Sequence, residues 1–206
     1  MPIPSSIIAL AAGLAVGASG AWGADYADPT WPCIQRKVDR LSPALMWQFP
    51  LPQTGTAADL PPDAAAFADK LALRRIDPES LAPEVESFAR AHDGDPVLLG
   101  QVFSRTFDLL DRRRTRIIAG IGDFSLSQIR LSETIDATRL EMDRLSDAED
   151  PDFDRMDALE EKLDWDQLIY SDRSQSITYL CETPQLIERR LFTIARMLGN
   201  AVKMPD

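Results

Sequence analysis

Four carboxylates of this 206-residue chain have the spacing of positions 1, 3, 5 and 12 of an EF-hand calcium loop: Asp150, Asp152, Asp154 and Glu161. However, Arg155 stands where that loop requires glycine, and Asp157 stands where it requires an apolar residue. The same carboxylates open a predicted helix, where acidic side chains interact favourably with the N-terminal end of the helix dipole. The four residues are therefore kept as a cation candidate, and no metal site is predicted.

No catalytic or cofactor motif accompanies them. His92 is the only histidine, which excludes the usual dimetal bundle site because that site needs Glu-x-x-His on two helices. A Ser-His-Asp hydrolase would have to use His92, which lies in a polar turn without a G-x-S-x-G partner. Gly120-Ile121-Gly122 lies within helical periodicity and is not a phosphate loop. We therefore expect no cofactor and a non-enzymatic protein.

The two cysteines, Cys33 and Cys181, predict a disulfide. Their even count suits an oxidising compartment, and neither belongs to a C-x-x-C pair with redox activity. Closing a loop of about 150 residues stabilises a protein by about 5 kcal/mol in the chain-entropy model. The alternative is a pair of buried free thiols.

The charge is strongly uneven along the chain. Residues 133–166 hold fourteen carboxylates against four basic side chains, a net charge of −10 in a protein whose net charge is −11. We call these carboxylates the acidic tip: Glu133, Asp136, Glu141, Asp143, Asp147, Glu149, Asp150, Asp152, Asp154, Asp157, Glu160, Glu161, Asp164 and Asp166. An overall acidic charge argues against a nucleic-acid partner.

Arginines cluster at the opposite end of the predicted hairpin. We call them the basic root: Arg112, Arg113, Arg114, Arg116, Arg189, Arg190 and Arg196. Such a charge layout favours a surface for a cationic partner at the acidic tip or an anionic partner at the basic root. The alternative is a set of solvated faces neutralised locally by Asp108, Asp111 and Glu188.

Two long runs with apolar residues at steps of three and four must position these charges. The first run predicts a seam through Leu99, Val102, Thr106, Leu109, Arg113, Ile117, Gly120, Phe124, Ser127, Leu131, Ile135, Thr138, Met142 and Leu145. The second predicts one through Met156, Leu159, Leu163, Asp166, Tyr170, Arg173, Ile177, Leu180, Pro184, Ile187, Leu191, Ile194 and Leu198. This periodicity indicates helices. We predict an all-α fold, an elongated antiparallel hairpin of residues 97–147 and 153–200.

The remaining segments are shorter. Residues 24–62, the arm, are rich in proline and predict an extended chain with one short helix at 42–47 and a linker at 53–59. Trp31 and Trp47 are expected to fill surface grooves of a helical bundle that spans residues 63–206. Within it, two short helices are predicted at 63–76 and 83–91.

Three residues interrupt the long helices: Gly120, Gly122 and Pro184. A kink and a complete break are both compatible with the sequence. Antiparallel pairing places the glycines near Tyr179 and Cys181, so we expect the arm to cross there because glycine leaves room for it.

Residues 1–23 resemble a secretory signal peptide. They carry no charged side chain, hold an apolar core at 7–16, and end in Ala21-Trp22-Gly23, which predicts cleavage before Ala24. A retained membrane helix is the alternative. After cleavage no run is long and apolar enough to span a bilayer, so the predicted location is the periplasm or the exterior.

The sequence thus predicts an exported interaction protein, an adaptor, scaffold or holdase-like factor whose partner is another envelope protein. Residual apolar positions such as Leu126 and Leu140 allow burial against a second copy in a homo-oligomer. The alternative is a ligand-binding or enzymatic bundle with a pocket near Gly120 and Tyr179.

Overall fold

The computed structural model describes residues 28–51 and 60–203, which form four α-helices and no strand. The helices are α1 (Pro62–Leu71), α2 (Ala82–Ala91), α3 (Pro96–Ser146) and α4 (Phe153–Asn200), with single 3₁₀ turns at Pro43–Leu45 and Glu79–Leu81. The predicted all-α hairpin is confirmed, since α3 and α4 pack against each other along their lengths. The predicted signal peptide and linker lie outside the described residues.

Both long helices begin at an aspartate that caps them. The Asp95 carboxylate accepts a hydrogen bond from the backbone N–H of Val97, and the Asp152 carboxylate accepts one from Arg155. These bonds satisfy backbone donors that have no partner inside the helix. Neither helix breaks at the predicted interruptions, because α3 continues through Gly120 and Gly122 and α4 continues through Pro184.

The largest apolar core lies at the root end of the hairpin. There α1, α2 and the arm cover the first part of α3 and the last part of α4. Trp47 belongs to this core rather than to a surface groove: its ring stacks on Phe103 with centroids 5.1 Å apart. Phe67 and Leu71 of α1 and Val85 of α2 also face inward.

Through the middle of α3 the most buried residues lie one position past the predicted seam, on the side that the arm covers. The buried residues are Leu110, Arg114, Ile118, Ile121 and Ser125, where the pattern predicted Leu109, Arg113, Ile117, Gly120 and Phe124. The two phases agree again at Ile135 and Thr138. Residues 109–110 and 117–118 are pairs of adjacent apolar residues. The sequence therefore fits burial of the first member of each pair as well as burial of the second.

Helix α1 is shorter than predicted. It ends at Leu71, whereas the pattern predicted a helix to residue 76. The buried Arg190 side chain donates to the backbone carbonyl of Leu71 at 2.8 Å and also to that of Ile76. It thereby satisfies a carbonyl at the end of the helix and fixes the turn that follows.

The predicted disulfide forms, with the Cα atoms of Cys33 and Cys181 5.5 Å apart. It packs on Ile121 of α3 with Trp31 beside it. The arm is also hydrogen-bonded to α3 nearby, because the Ser125 hydroxyl donates to the Pro29 carbonyl at 2.6 Å. The disulfide and this hydrogen bond together hold the arm across the hairpin.

The start of the described arm is a hydrogen-bonded turn around Asp28. Its carboxylate accepts from the hydroxyl and the backbone N–H of Thr30, and Lys37 Nζ lies 3.1 Å away. The Thr30 hydrogen bonds and then Lys37 lower the pKa of Asp28 to about 2. The carboxylate therefore stays ionised, and this turn persists, well below neutral pH.

Past the level of the arm, the hairpin is thinly packed. We call residues 126–176 the distal hairpin. Its buried residues are Ile135, Thr138 and Leu159. Elsewhere along it each side chain keeps some contact with water, because α3 and α4 cover each other on one side only.

The arm does cross at the glycines, although glycine is not what permits the crossing. A Cβ placed on Gly122 would lie 3.4 Å from Thr30 Cβ, an ordinary van der Waals contact. A Cβ placed on Gly120 would meet no atom within 4 Å. The predicted reason for these glycines is therefore wrong, since alanine would fit at both positions.

Substituting Gly120→Ala is expected to raise the free energy of unfolding by about 1 kcal/mol, because alanine is favoured in helices and meets nothing here. Urea unfolding of the oxidised protein, followed by circular dichroism, measures it. The matched substitution Gly94→Ala should lower stability instead. Gly94 has φ +67°, and a Cβ there would lie 2.9 Å from the Ala201 carbonyl oxygen. Equal effects of the two substitutions would contradict this prediction.

Candidate functional site

The acidic tip occupies the end of the distal hairpin that is farthest from the core. All its carboxylates except Glu141 and Asp166 belong to exposed residues. Three of them form ion pairs: Asp136 with Arg139, Glu141 with Arg155, and Asp166 with Lys162. The others have no ion-pair partner within the described residues, so the tip presents a dense, uncompensated negative surface.

The four carboxylates of the calcium-like spacing are not brought together as a ligand set. Asp152 caps α4, and Asp154 lies in the first turn of that helix. Within residues 28–51 and 60–203 there is no group of three or more His, Cys, Asp or Glu side chains placed to hold a metal ion. The local role of these acids is to start the helix.

The basic root divides into buried and exposed arginines. Arg114 is buried, with Nε 2.8 Å from Glu188 Oε1 and Nη2 2.6 Å from the Val38 carbonyl oxygen. Arg190 is buried too, and loss of hydration lowers the pKa of its guanidinium while Asp77 opposes that effect. These two side chains join the arm and α1 to the hairpin. The exposed members of the basic root are Arg112, Arg113, Arg116, Arg189 and Arg196.

Gly120 and Tyr179 do not enclose a pocket. Gly120 faces open space, and the Tyr179 side chain is 75% exposed. At their level the space between the helices is filled by the disulfide and Ile121. An open cavity of about 690 Å³ does lie beside them, between α3 and the arm, with Ala119 and Gly122 in its lining, although Gly120 and Tyr179 themselves do not line it.

An open groove lies nearby, between α3 and α4 on the tip side of the disulfide. It has a volume of about 370 Å³ and is lined by apolar side chains that include Phe124, Ile129, Tyr170 and Ile177. Gln128 crosses its floor and donates to the Tyr170 carbonyl at 3.2 Å. The other half of its lining is polar and consists of Ser125, Gln128, Ser132, Glu133 and Ser174, so the groove offers apolar contact, hydrogen-bonding groups and one carboxylate.

His92 follows the last residue of α2 and is the C-cap of that helix. Its Nε2 lies 3.1 Å from the Asp63 carboxylate, and its ring lies 4.4 Å from that of Phe88. These contacts join α1 to α2. With one ring nitrogen beside a carboxylate and the ring against Phe88, His92 has a structural role in this part of the chain.

The sequence interpretation missed a row of exposed apolar side chains on the face of α4 that points away from α3. Trp165, Leu168, Tyr179 and Leu186 are each 50–75% exposed. The signal was present as a spacing of seven residues, since Trp165, Tyr179 and Leu186 share one heptad position. The stronger inner seam of the same helix hid it.

No helix in the described part of the chain is both long enough and apolar enough to cross a membrane. Comparisons with protein-family models, curated proteins and solved structures found no match for this chain.

Proposed function

We propose that this chain is an exported, non-enzymatic interaction protein of the cell envelope, an adaptor, scaffold or holdase-like factor, that binds a basic surface of another envelope protein through its acidic tip. The observation that carries the proposal is the position of the tip. Its exposed carboxylates lie at the end of a thin hairpin, beyond the core and the disulfide. A concentrated charge presented in this way steers and orients an oppositely charged partner.

The disulfide supports the exported location, because such bonds persist in oxidising compartments. The resemblance of residues 1–23 to a signal peptide also supports export. Burial of Arg114 and Arg190 favours the acidic tip over the basic root as the partner surface, since it leaves the root fewer and more scattered exposed charges.

Neutralising the turn between the helices should weaken partner capture. The variant Asp147→Asn/Glu149→Gln/Asp150→Asn removes three exposed charges without touching the capping Asp152. The full-length protein is expressed with its leader, and carbodiimide crosslinking joins its carboxylates to lysines of a bound partner. Crosslinked partners are identified by mass spectrometry. We expect tip peptides crosslinked to one basic envelope protein, less strongly at high salt because salt screens exposed charges.

The control variant Asp39→Asn/Glu86→Gln/Asp108→Asn removes three exposed charges away from the tip. It should capture the partner as the unmodified protein does. Equal recovery by the tip variant would eliminate the acidic tip as the contact. An uncleaved chain that remains in the cytosolic fraction would overturn the exported location.

A further inference from the structure

The outward face of α4 carries two neighbouring lines of exposed residues, each with a repeat of seven. One line contains Trp165, Asp172, Tyr179 and Leu186, and the other contains Leu168 and Gln175. We call this face the outer stripe. It lies opposite the inner seam of α4, represented by Leu159 and Ile177. Two adjacent lines with this repeat are the pattern by which one helix packs along another.

The outer stripe is bounded by charges of opposite sign. Asp154 and Glu161 continue the line of Leu168 toward the acidic tip, and Arg189 and Arg196 continue it toward the basic root. These four side chains are exposed. None of them forms a salt bridge with another described residue. From the acidic tip to the basic root, the line therefore has two acidic residues, then uncharged residues, then two arginines. Glu182 is the one charged residue on the line that does not fit this order.

This order defines the orientation of a matching partner. A second copy laid parallel would place acids on acids and arginines on arginines. Laid antiparallel, it places Asp154 and Glu161 of each copy on the Arg189 and Arg196 end of the other, at both ends of a twofold interface. Charges that flank an apolar seam set helix orientation in this way.

We propose that the outer stripe binds a second copy of this chain, giving an antiparallel homodimer through α4. The apolar centre around Trp165, Leu168, Tyr179 and Leu186 is then removed from water, and the contact extends over about 60 Å at ~1.5 Å per residue. The turn carboxylates Asp147, Glu149 and Asp150 remain free at the two ends. The dimer uses Asp154 and Glu161 of the acidic tip and leaves the other tip carboxylates to the proposed partner.

Sedimentation equilibrium of the oxidised chain that starts at Ala24 tests the proposal with three charge variants. Arg189→Glu/Arg196→Glu makes both ends of the stripe acidic and should raise the dimer Kd by about tenfold or more. Asp154→Lys/Glu161→Lys makes both ends basic and should do the same. Combining all four substitutions exchanges the ends and should restore the dimer. In a parallel dimer like charges already face each other in the wild type, so the two single-end variants would bind no more weakly than the wild type, and that result would overturn the antiparallel arrangement.

The apolar part is tested by Trp165→Ser/Tyr179→Ser, which should raise the dimer Kd by about 100-fold because exposed aromatics dominate such contacts. Circular dichroism and the intact disulfide show that the variants fold. A wild-type chain that sediments as a monomer up to about 1 mM would overturn the proposal. So would a monomer whose Trp165 is shielded only when neutral lipid vesicles are added, since the stripe would then bind a membrane.

Discussion

Replacing both cysteines by alanine is expected to lower the free energy of unfolding by about 5 kcal/mol. The bond joins residues 148 apart in the sequence, so its loss releases a very large loop in the unfolded chain. In the folded chain it also frees the arm beside Ile121, where Cys33 and Cys181 are both buried. Urea unfolding of Cys33→Ala/Cys181→Ala, followed by circular dichroism, measures the change.

Reduced wild-type protein is the control for this variant. Reduction removes the covalent link and leaves the rest of the sequence intact, so it should bring the stability close to that of the double alanine variant. A double variant as stable as the oxidised wild type would mean that the unfolded chain gains no entropy from losing the bond. Stability would then reside in the core at the root end alone.

Replacing Arg190 by methionine is expected to lower the free energy of unfolding by about 3 kcal/mol. Methionine fills a similar space but cannot donate to the carbonyls of Leu71 and Ile76, which Arg190 satisfies in the core. A buried carbonyl without a partner costs about 1–3 kcal/mol, and two are affected here. The loss is partly offset, because methionine removes the cost of burying the guanidinium and its Nη2, which has no hydrogen-bond partner among the described residues.

The matched control is Arg113→Met, the same substitution at an exposed arginine of the basic root. It should change stability by no more than about 0.5 kcal/mol, as surface substitutions usually do. Urea unfolding of both variants is compared under the same conditions. Similar losses for the two would show that Arg190 acts through surface charge rather than by joining α1 to α4.

The hairpin and the disulfide were predictable because each depends on a simple, redundant signal. Steps of three and four repeated over some fifty residues in α3 can only be a helix. The short turn at 147–152 then requires antiparallel pairing of α3 with α4. Pairing in turn brings residue 181 to the level of residue 121, where the arm delivers the second cysteine.

The phase of the α3 seam was not predictable from α3 alone. Apolar pairs at 109–110 and 117–118 support two phases equally, and the choice depends on whether Arg113 or Arg114 turns inward. Two adjacent arginines cannot be told apart by their own chemistry. Arg114 is the one that turns inward, because Glu188 on α4 and the Val38 carbonyl of the arm bind its guanidinium there. Such long-range contacts have no local signature.

For the same reason the basic root looked more uniform in the sequence than it is. Arg189 and Arg190 are neighbours, and one reaches water while the other ends in the core. The acidic tip has no such division, since no third layer covers α3 and α4 there. Its exposure could therefore be inferred from charge density, whereas its partner could not.

The thin packing of the distal hairpin makes its length independent of the rest of the fold. The core, the disulfide and the buried Arg190 all lie on the root side of residues 126–176. Seven residues removed from α3 and seven from α4 would shorten the projection by about 10 Å and keep the two helices in phase. The distance at which the turn carboxylates are held from the body of the protein is thus a quantity that insertions and deletions can tune without disturbing folding.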